Sequence, residues 1–409
     1  MLIKIRDDGD QKIAYFIDSR RVIGVNEVGA IVLDLLCNQM YDIQELSKMI
    51  SVQYGIAEDI AISDINDFLD QIKDEIAPNS FNLTEQSQTE IPFGVELEIT
   101  TDCNLRCRHC LQTDYSGNHM PVERALRILD ILSDAGVFEI NIIGGEPFVH
   151  PNIREILEHC MKHEFAINVV TNGTLLTTDV IAWLSDINRL SVFVSMDGLV
   201  AEHDWIRGHG NFALTSTALQ HMIEKGIATE ILFTLNAVNI VVYREVLEYC
   251  RERGIPCNFN LFKPFKEAHS ELIVDPKSFF EIVIELFQLR KGGKYQVGIS
   301  NAAIVGDLLG IPHDECRATQ SGLVITADER MLTCPSLLFA GYYKNDDLPK
   351  FDERFLETWH HHPIFTEFRG NGFCGCQARS FIFHHDVTVG DPYDLAAFRE
   401  YVARKKMAI

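Results

Sequence analysis

The chain has 409 residues, 46% of them hydrophobic and 23% charged, which fits a globular protein of two or three domains that buries its core without disulfide staples. With 36 Lys and Arg against 59 Asp and Glu, the net charge is -23. That excludes a general nucleic-acid or anionic-membrane binder, which needs a basic face to meet phosphates.

The first residues, MLIKIRDDGDQKIAYF, carry charges every few positions and lack the apolar stretch of a signal peptide. No run approaches the ~20 apolar residues of a membrane helix. The apolar stretch 279–289 is interrupted by Glu281 and Glu285 at helical spacing and reads as an amphipathic helix. A cytoplasmic protein without a membrane partner is expected, and thiols there stay reduced. Eleven cysteines, an odd number that cannot all pair, then point to metal binding.

In chain order, residues 1–77 form a self-contained β3α3 unit. Strands are predicted at 2–5, 12–17 and 21–25. Asn26 is placed to cap a helix over 27–36. Helices follow at 43–54 and 58–72, separated by Gly55. Residues 78–92 are polar and aperiodic and read as a linker. The first 92 residues hold 7 Lys and Arg against 17 Asp and Glu, so nearly half of the net charge lies there.

From residue 93 strands and helices alternate. Strands are predicted at 95–100, 139–143, 166–171, 190–195, 230–236 and 257–261, with helices such as 122–135, 153–163 and 213–225 between them. Repeats of ~30 residues imply parallel βαβ units. Six strands are too few for a closed eight-stranded barrel. They suit a partial barrel or a doubly wound sheet, with chemistry at the C-terminal strand ends. Past residue 290 the alternation stops. A hairpin is predicted over 323–334, a helix over 351–368, a Gly- and Cys-rich loop, and an amphipathic helix over 392–405.

The strongest chemical signal follows the first strand of the alternating region. Cys103, Cys107 and Cys110 lie at spacings of four and three. Such a loop can hold three irons of a [4Fe–4S] cluster and leave the fourth open to a small molecule. The same spacing would also align three cysteines on a helix face, but Asp102 and Asn104 argue against a buried stripe. Zinc is the rival, and it needs a fourth ligand. His109 is adjacent but poorly placed beside Cys110.

The loop resembles the cysteine motif of radical S-adenosylmethionine (SAM) enzymes. The resemblance implies that His109, before the third cysteine, packs near the adenine. Further motifs stand in the family's order. Gly144-Gly145-Glu146-Pro147 closes the second strand and resembles the segment that holds the SAM amino group; paired glycines allow close backbone approach. Asn172, in Thr171-Asn172-Gly173, closes the third. Ser195-Met196-Asp197-Gly198 closes the fourth and resembles the segment contacting the SAM ribose and carboxylate. Arg207 resembles the arginine that pairs with that carboxylate, where a guanidinium can bind bidentately. Asn236 ends the fifth strand and is a candidate to face the pocket.

A second group, Cys316, Cys334, Cys374 and Cys376, comes from distant segments that meet only if the chain folds around a centre. Their spacing resembles the twitch extension of radical SAM enzymes, a shortened SPASM domain. It implies one auxiliary cluster, [4Fe–4S] or [2Fe–2S], with zinc as the other reading. Cys37, Cys160, Cys250 and Cys257 fall in apolar patterns and read as core thiols. His360, His361, His362, His384 and His385 read as solvated, since consecutive residues point apart.

The β3α3 unit, with the segment Ile23-Gly24-Val25-Asn26-Glu27-Val28-Gly29-Ala30, looks like the PqqD-like domains of ribosomal peptide biosynthesis. These are winged helices in which a leader peptide adds a strand to the small sheet. A DNA-binding winged helix is the alternative, and the acidic balance opposes it.

Together these resemblances imply three regions: a PqqD-like domain (1–77), a partial (β/α)6 radical SAM barrel (93–290) and a small α+β iron–sulfur domain (291–409). They imply an enzyme in which a reduced cluster cleaves SAM to a 5′-deoxyadenosyl radical that takes a hydrogen atom from a ribosomal precursor peptide. The expected product is a Cys thioether cross-link. Carbon–carbon or carbon–oxygen cross-linking, epimerisation and a cofactor-biosynthesis enzyme are the alternatives. The expected partners are the precursor peptide and an electron donor such as flavodoxin or ferredoxin, with no nucleic acid. No conventional catalytic residue is named.

Overall fold

A computed structural model describes residues 3–9, 11–17, 21–39, 41–76, 89–112, 117–265, 267–300, 302–310, 316, 318, 320–367, 369 and 375–407. Two compact units divide the chain, Met1–Ile91 and Pro92–Ile409. No helix among the described residues is long and apolar enough to cross a membrane.

The first unit begins with strands β1 (Ile3–Asp8), β2 (Gln11–Phe16) and β3 (Arg21–Val25), antiparallel in the order β1-β2-β3. Ala14, Phe16, Ile23 and Val25 present one apolar face to helices α1 (Glu27–Leu33) and α3 (Glu58–Ile76), with Phe68, Leu69 and Ile72 closing the core. The Asn26 side chain accepts from the Gly29 amide at 2.8 Å, as the cap predicted. Helix α2 (Ile43–Tyr54) starts in a capping box of Asp42 and Glu45 and ends at Gly55 with φ 67°.

The helix predicted over 27–36 stops at Leu33, and a wider turn, Asp34–Asn38, follows. Asn38 has a reason to leave the regular helix. Its amide accepts from Ile3 N at 3.1 Å and donates to Ile3 O at 2.8 Å, satisfying the outer edge of β1 as a neighbouring strand would.

The second unit is built on a nine-stranded sheet. Strands β4 (Gly94–Glu98), β5 (Glu139–Ile143), β6 (Ala166–Thr171), β7 (Leu190–Ser195), β8 (Ala228–Leu235) and β9 (Cys257–Leu261) run parallel in sequence order. The intervening helices are α4 (Val122–Asp134), α5 (Ile153–Lys162), α6 (Thr178–Leu184), α7 (Val200–Arg207), α8 (Asn211–Glu224) and α9 (Tyr243–Arg253). Alternate strand residues, including Val95, Leu97, Ile140, Ile142, Val192, Val194, Ile231 and Phe233, are fully buried. The opposite alternation is polar, with Glu96, Asn141, Asn168, Glu230 and Asn258. Asn168 donates to Glu139 at 2.9 Å and to Asn141 at 2.6 Å, while Asn258 donates to Glu230. The sheet therefore has one apolar face and one hydrogen-bonded polar face at which a polar substrate can be met.

Three further strands extend these six, two of them the predicted hairpin. After α10 (Pro276–Lys291), β10 (Val297–Ile299) pairs in parallel with β9. After α11 (Ala303–Leu309), β11 (Gly322–Ile325) pairs in parallel with β4, and β12 (Met331–Leu332) pairs antiparallel with β11. The predicted hairpin thus joins the sheet edge beside the strand that leads into the cysteine loop. Helix α12 (Pro335–Phe339) follows. The helix predicted over 351–368 is broken into α13 (Phe355–His361) and α14 (Pro363–Thr366), because Pro363 cannot continue the hydrogen-bond ladder. Helices α15 (Gln377–His384) and α16 (Pro392–Met407) end the chain, and Tyr393 Oη donates to Val274 O at 2.8 Å.

Candidate active site

The loop after β4 is pinned at both ends. Thr101 N donates to Asn118 O and Met120 N to Ile99 O, at 3.0 and 2.9 Å. Thr100 Oγ1 bonds His119 Nδ1 at 2.8 Å. Between these clamps lie Cys103, Cys107 and Cys110, each partly exposed. Burial pushes the Cys103 thiol up, and it pushes Cys107 up to about 11 against the opposing pull of Arg207. Thiols so placed ionise in the presence of a metal that repays the desolvation.

The glycine pair of the second motif does something its sequence did not disclose. A Cβ on Gly145 would stand 2.2 Å from Asp102 O, and one on Gly144 would stand 2.4 Å from Thr100 O. In that space Gly145 N donates to Thr100 O and Glu146 N to Asp102 O, both at 2.9 Å. The glycines therefore admit the backbone of the cysteine loop itself. Pro147 begins a short 3-10 turn after them.

Glu146 is fully buried. It accepts from Thr171 Oγ1 and Asn172 N, each at 2.7 Å, and from Phe148 N at 3.2 Å. Burial pushes its carboxyl up to about 7, opposed by these donors and Arg207. Its side chain ties the ends of β5 and β6 together. Asn172 carries the tie onward. Its Nδ2 donates to Asn104 Oδ1 at 2.9 Å, and Asn104 Nδ2 donates to Thr174 Oγ1 at 2.8 Å. The Asn104–Thr174 pairing gave no signal in the sequence, because it spans 70 residues.

The third part of the site is a buried charge network. Asp197, with no exposed surface, accepts from Arg207 Nε at 2.6 Å, from Thr234 N at 2.8 Å and faces His109 Nε2 at 3.0 Å. Burial raises the Asp197 carboxyl, but Arg207 and His109 outweigh it and hold the group well below the usual carboxylate range. Arg207 Nη1 faces Cys107 Sγ at 4.0 Å. The arginine expected to meet a ligand carboxylate thus already pairs with Asp197 through Nε, leaving its outer nitrogens for the thiol and the pocket. Helix α7 also grips the loop directly. Arg108 N donates to Ile206 O at 2.9 Å, and the Arg108 guanidinium lies 4.2 Å from the Trp205 ring centre.

Among the described residues, His109 Nδ1 is buried without a hydrogen-bond partner, and so is His203 Nε2. His203 Nδ1 accepts from Asp197 N at 3.4 Å, and burial together with Arg207 lowers this imidazole to about 4. Orphaned polar atoms beside three thiols fit a site that holds a polar ligand. Ser195 ends β7 half-buried. Asn236 spends its amide locally, donating to Thr234 O at 2.9 Å and accepting from Val238 N at 3.0 Å.

Of the second cysteine group, Cys374 lies outside the described residues. Cys334 and Cys376 stand at the N-caps of α12 and α15 and pack into one cluster with Leu337 and Ala378. Burial first, and then the nearness of Cys376, raise the Cys316 and Cys334 thiols. Desolvation of the sulfur pushes the Cys316 thiol up to about 12, although the residue as a whole is exposed. Cys376 N donates to Asp391 Oδ2 at 3.1 Å, and Asp391 pairs with the fully buried Arg379. Three soft donors, two of them at helix N-termini, suit an iron–sulfur centre. Cys160, Cys250 and Cys257 are buried, with Cys257 against Cys250.

Residues 97–273 match the Radical SAM superfamily, and residues 12–75 match coenzyme PQQ synthesis protein D (PqqD). The chain is 27% identical to mycofactocin maturase MftC of Mycobacterium tuberculosis over 70% of its own length and 75% of that protein. It is 28% identical to the antilisterial bacteriocin subtilosin biosynthesis protein AlbA of Bacillus subtilis, over 45% and 42% respectively. The fold is that of Streptococcus suis SuiB solved with S-adenosylmethionine, with a TM-score of 0.70 over 96% of this chain and 98% of that one at 15% identity.

Proposed function

We propose that this radical SAM enzyme, whose cofactors are a [4Fe–4S] cluster and SAM, matures a ribosomally made precursor peptide and cross-links it through a cysteine thioether. The observation that carries this reading is the union, in one chain, of a three-thiol loop with a PqqD-like unit whose small sheet ends in β3 among the described residues. Asn38 covers β1 at Ile3, while Asp8 and Arg6 hold the backbone of residues 90 and 91. Among the described residues β3 pairs with β2 alone. A leader peptide adding to β3 would gain backbone hydrogen bonds there. SuiB has been solved with its precursor peptide SuiA, which supports the same class of partner here.

When bound, the cluster and SAM supply hydrogen-atom abstraction from an unactivated carbon. Cys103, Cys107 and Cys110 are the thiols we assign to that cluster. Asp197 fixes Arg207 against Cys107 and orients His109. Glu146 and Asn172 brace the loop from the neighbouring strand ends. His109 Nδ1 and His203 Nε2 offer the unpaired polar atoms, and Ser195 and Pro147 line the same strand-end rim. The polar sheet face receives the core peptide. We assign Cys316, Cys334 and Cys376, with Cys374, to an auxiliary iron–sulfur centre. A flavodoxin or ferredoxin as electron donor and a cytoplasmic setting complete the proposal.

Removing residues 1–77 tests the reading. The truncated enzyme should still form 5′-deoxyadenosine from SAM but should stop modifying a leader-bearing precursor. Unchanged modification would reject the role of the first unit. A thioether and a carbon–carbon bond each remove two hydrogens, but the thioether alone consumes a thiol. Iodoacetamide labelling of the product should therefore fall by one per cross-link.

A further inference from the structure

The helices outside the sheet carry a side-chain group that the reaction does not use. His159 lies in the last turn of α5 and His163 caps its end, one turn further on the same face. Asp130 lies on the adjacent α4. His159 Nε2 stands 2.7 Å from Asp130 Oδ1, His163 Nε2 stands 2.8 Å from the same oxygen, and the two nitrogens are 3.2 Å apart. All three ligand atoms lie within 4.8 Å of one another, the only such group of three or more among the described residues.

Hydrogen bonding alone accounts for this convergence poorly. Both imidazoles would have to carry their protons on Nε2 and aim them at a single oxygen, with the nitrogens nearly in contact. We propose that Asp130, His159 and His163 form a binding site for one divalent transition-metal cation of the zinc class. An ion about 2.0–2.2 Å from each donor sits just outside the plane of three atoms spaced this closely, and it turns a crowded set of dipoles into three metal bonds. The two nitrogens and one carboxylate oxygen select a zinc-like ion over calcium or magnesium, which take oxygen sets. The side chains are 18%, 26% and 38% exposed for His159, His163 and Asp130, so water can reach the remaining positions.

The placement also gives the ion a mechanical role. Helix α4 follows the cysteine loop and α5 follows the Gly144–Pro147 motif, and the ion would join the two helices on their outer side. Asp130, His159 and His163 lie toward the helix ends that lead into β5 and β6, whereas the thiol loop follows the C-terminal end of β4, so the clamp is structural and separable from SAM cleavage.

The test uses the holoenzyme with its clusters assembled and free metal removed. Zn2+ is titrated in competition with a chromophoric chelator, and the zinc environment is read by X-ray absorption. Wild-type protein should take one equivalent more than the Asp130→Asn/His159→Gln/His163→Gln variant. Its zinc shell should hold nitrogen and oxygen without sulfur. Asp130→Asn and His159→Gln alone should each weaken binding at least tenfold, with iron content and 5′-deoxyadenosine formation unchanged. These single variants carry the test if the triple variant does not fold. The proposal is overturned by equal zinc uptake in wild type and variants, or by sulfur in the zinc shell, which would place the ion on the thiols.

Discussion

Gly145→Ala separates two roles for the glycine pair. A methyl group there would meet Asp102 O at 2.2 Å, whereas ordinary contact begins at 3.4 Å, so the cysteine loop must retreat by about 1.2 Å. The obstacle is backbone, which cannot swing aside. The retreat strains or breaks two hydrogen bonds, Gly145 N to Thr100 O and Glu146 N to Asp102 O. At ~1 kcal/mol each, with ~1–3 kcal/mol for overpacking, the cost is on the order of 3–5 kcal/mol. That strain falls on the segment next to Cys103. The variant should therefore lose iron and sulfide on reconstitution and lose SAM cleavage with them. If the glycine instead serves to admit the ligand, the cluster will assemble normally and only SAM affinity will fall. A full iron complement with weakened SAM binding would refute the loop-packing argument.

Two other changes probe the network around the loop. Asp197→Asn leaves Arg207 buried without its anion, which costs about 3–5 kcal/mol; denaturant midpoints should drop and 5′-deoxyadenosine formation should fall, and an unchanged midpoint would show that the pair is not anchoring α7. Glu146 predicts a pH dependence. Its carboxyl is raised from 4.5 to about 7 by burial, so the folded protein holds that proton more tightly than the unfolded chain. Stability should be fullest below the unfolded value and decline as pH rises toward about 7. The decline should be absent in Glu146→Gln, and identical pH profiles for the two proteins would contradict it.

The parts of this architecture that were legible in the sequence are local. The alternation of strand and helix patterns located six parallel strands, and Asn26 and Gly55 marked helix ends. What remained hidden depends on pairing across long separations. Gly322 faces Gly94 in the β11–β4 ladder, and strands as short as Val297–Ile299 carry too little pattern to stand out. Asp197 and Arg207 could each be assigned to a ligand, but only the fold shows that they meet each other. The histidine runs drew attention in the sequence, whereas the histidines that converge with a carboxylate, His159 and His163, lie beside Asp130 of another helix.

The most direct measurement is SAM cleavage by an enzyme in which Cys103, Cys107 and Cys110 are all replaced by Ala, assayed anaerobically with reductant after reconstitution. The three thiols are assigned to the cluster that delivers the electron to SAM, so 5′-deoxyadenosine should be absent while the protein remains folded. Formation of 5′-deoxyadenosine at the wild-type rate would contradict that assignment.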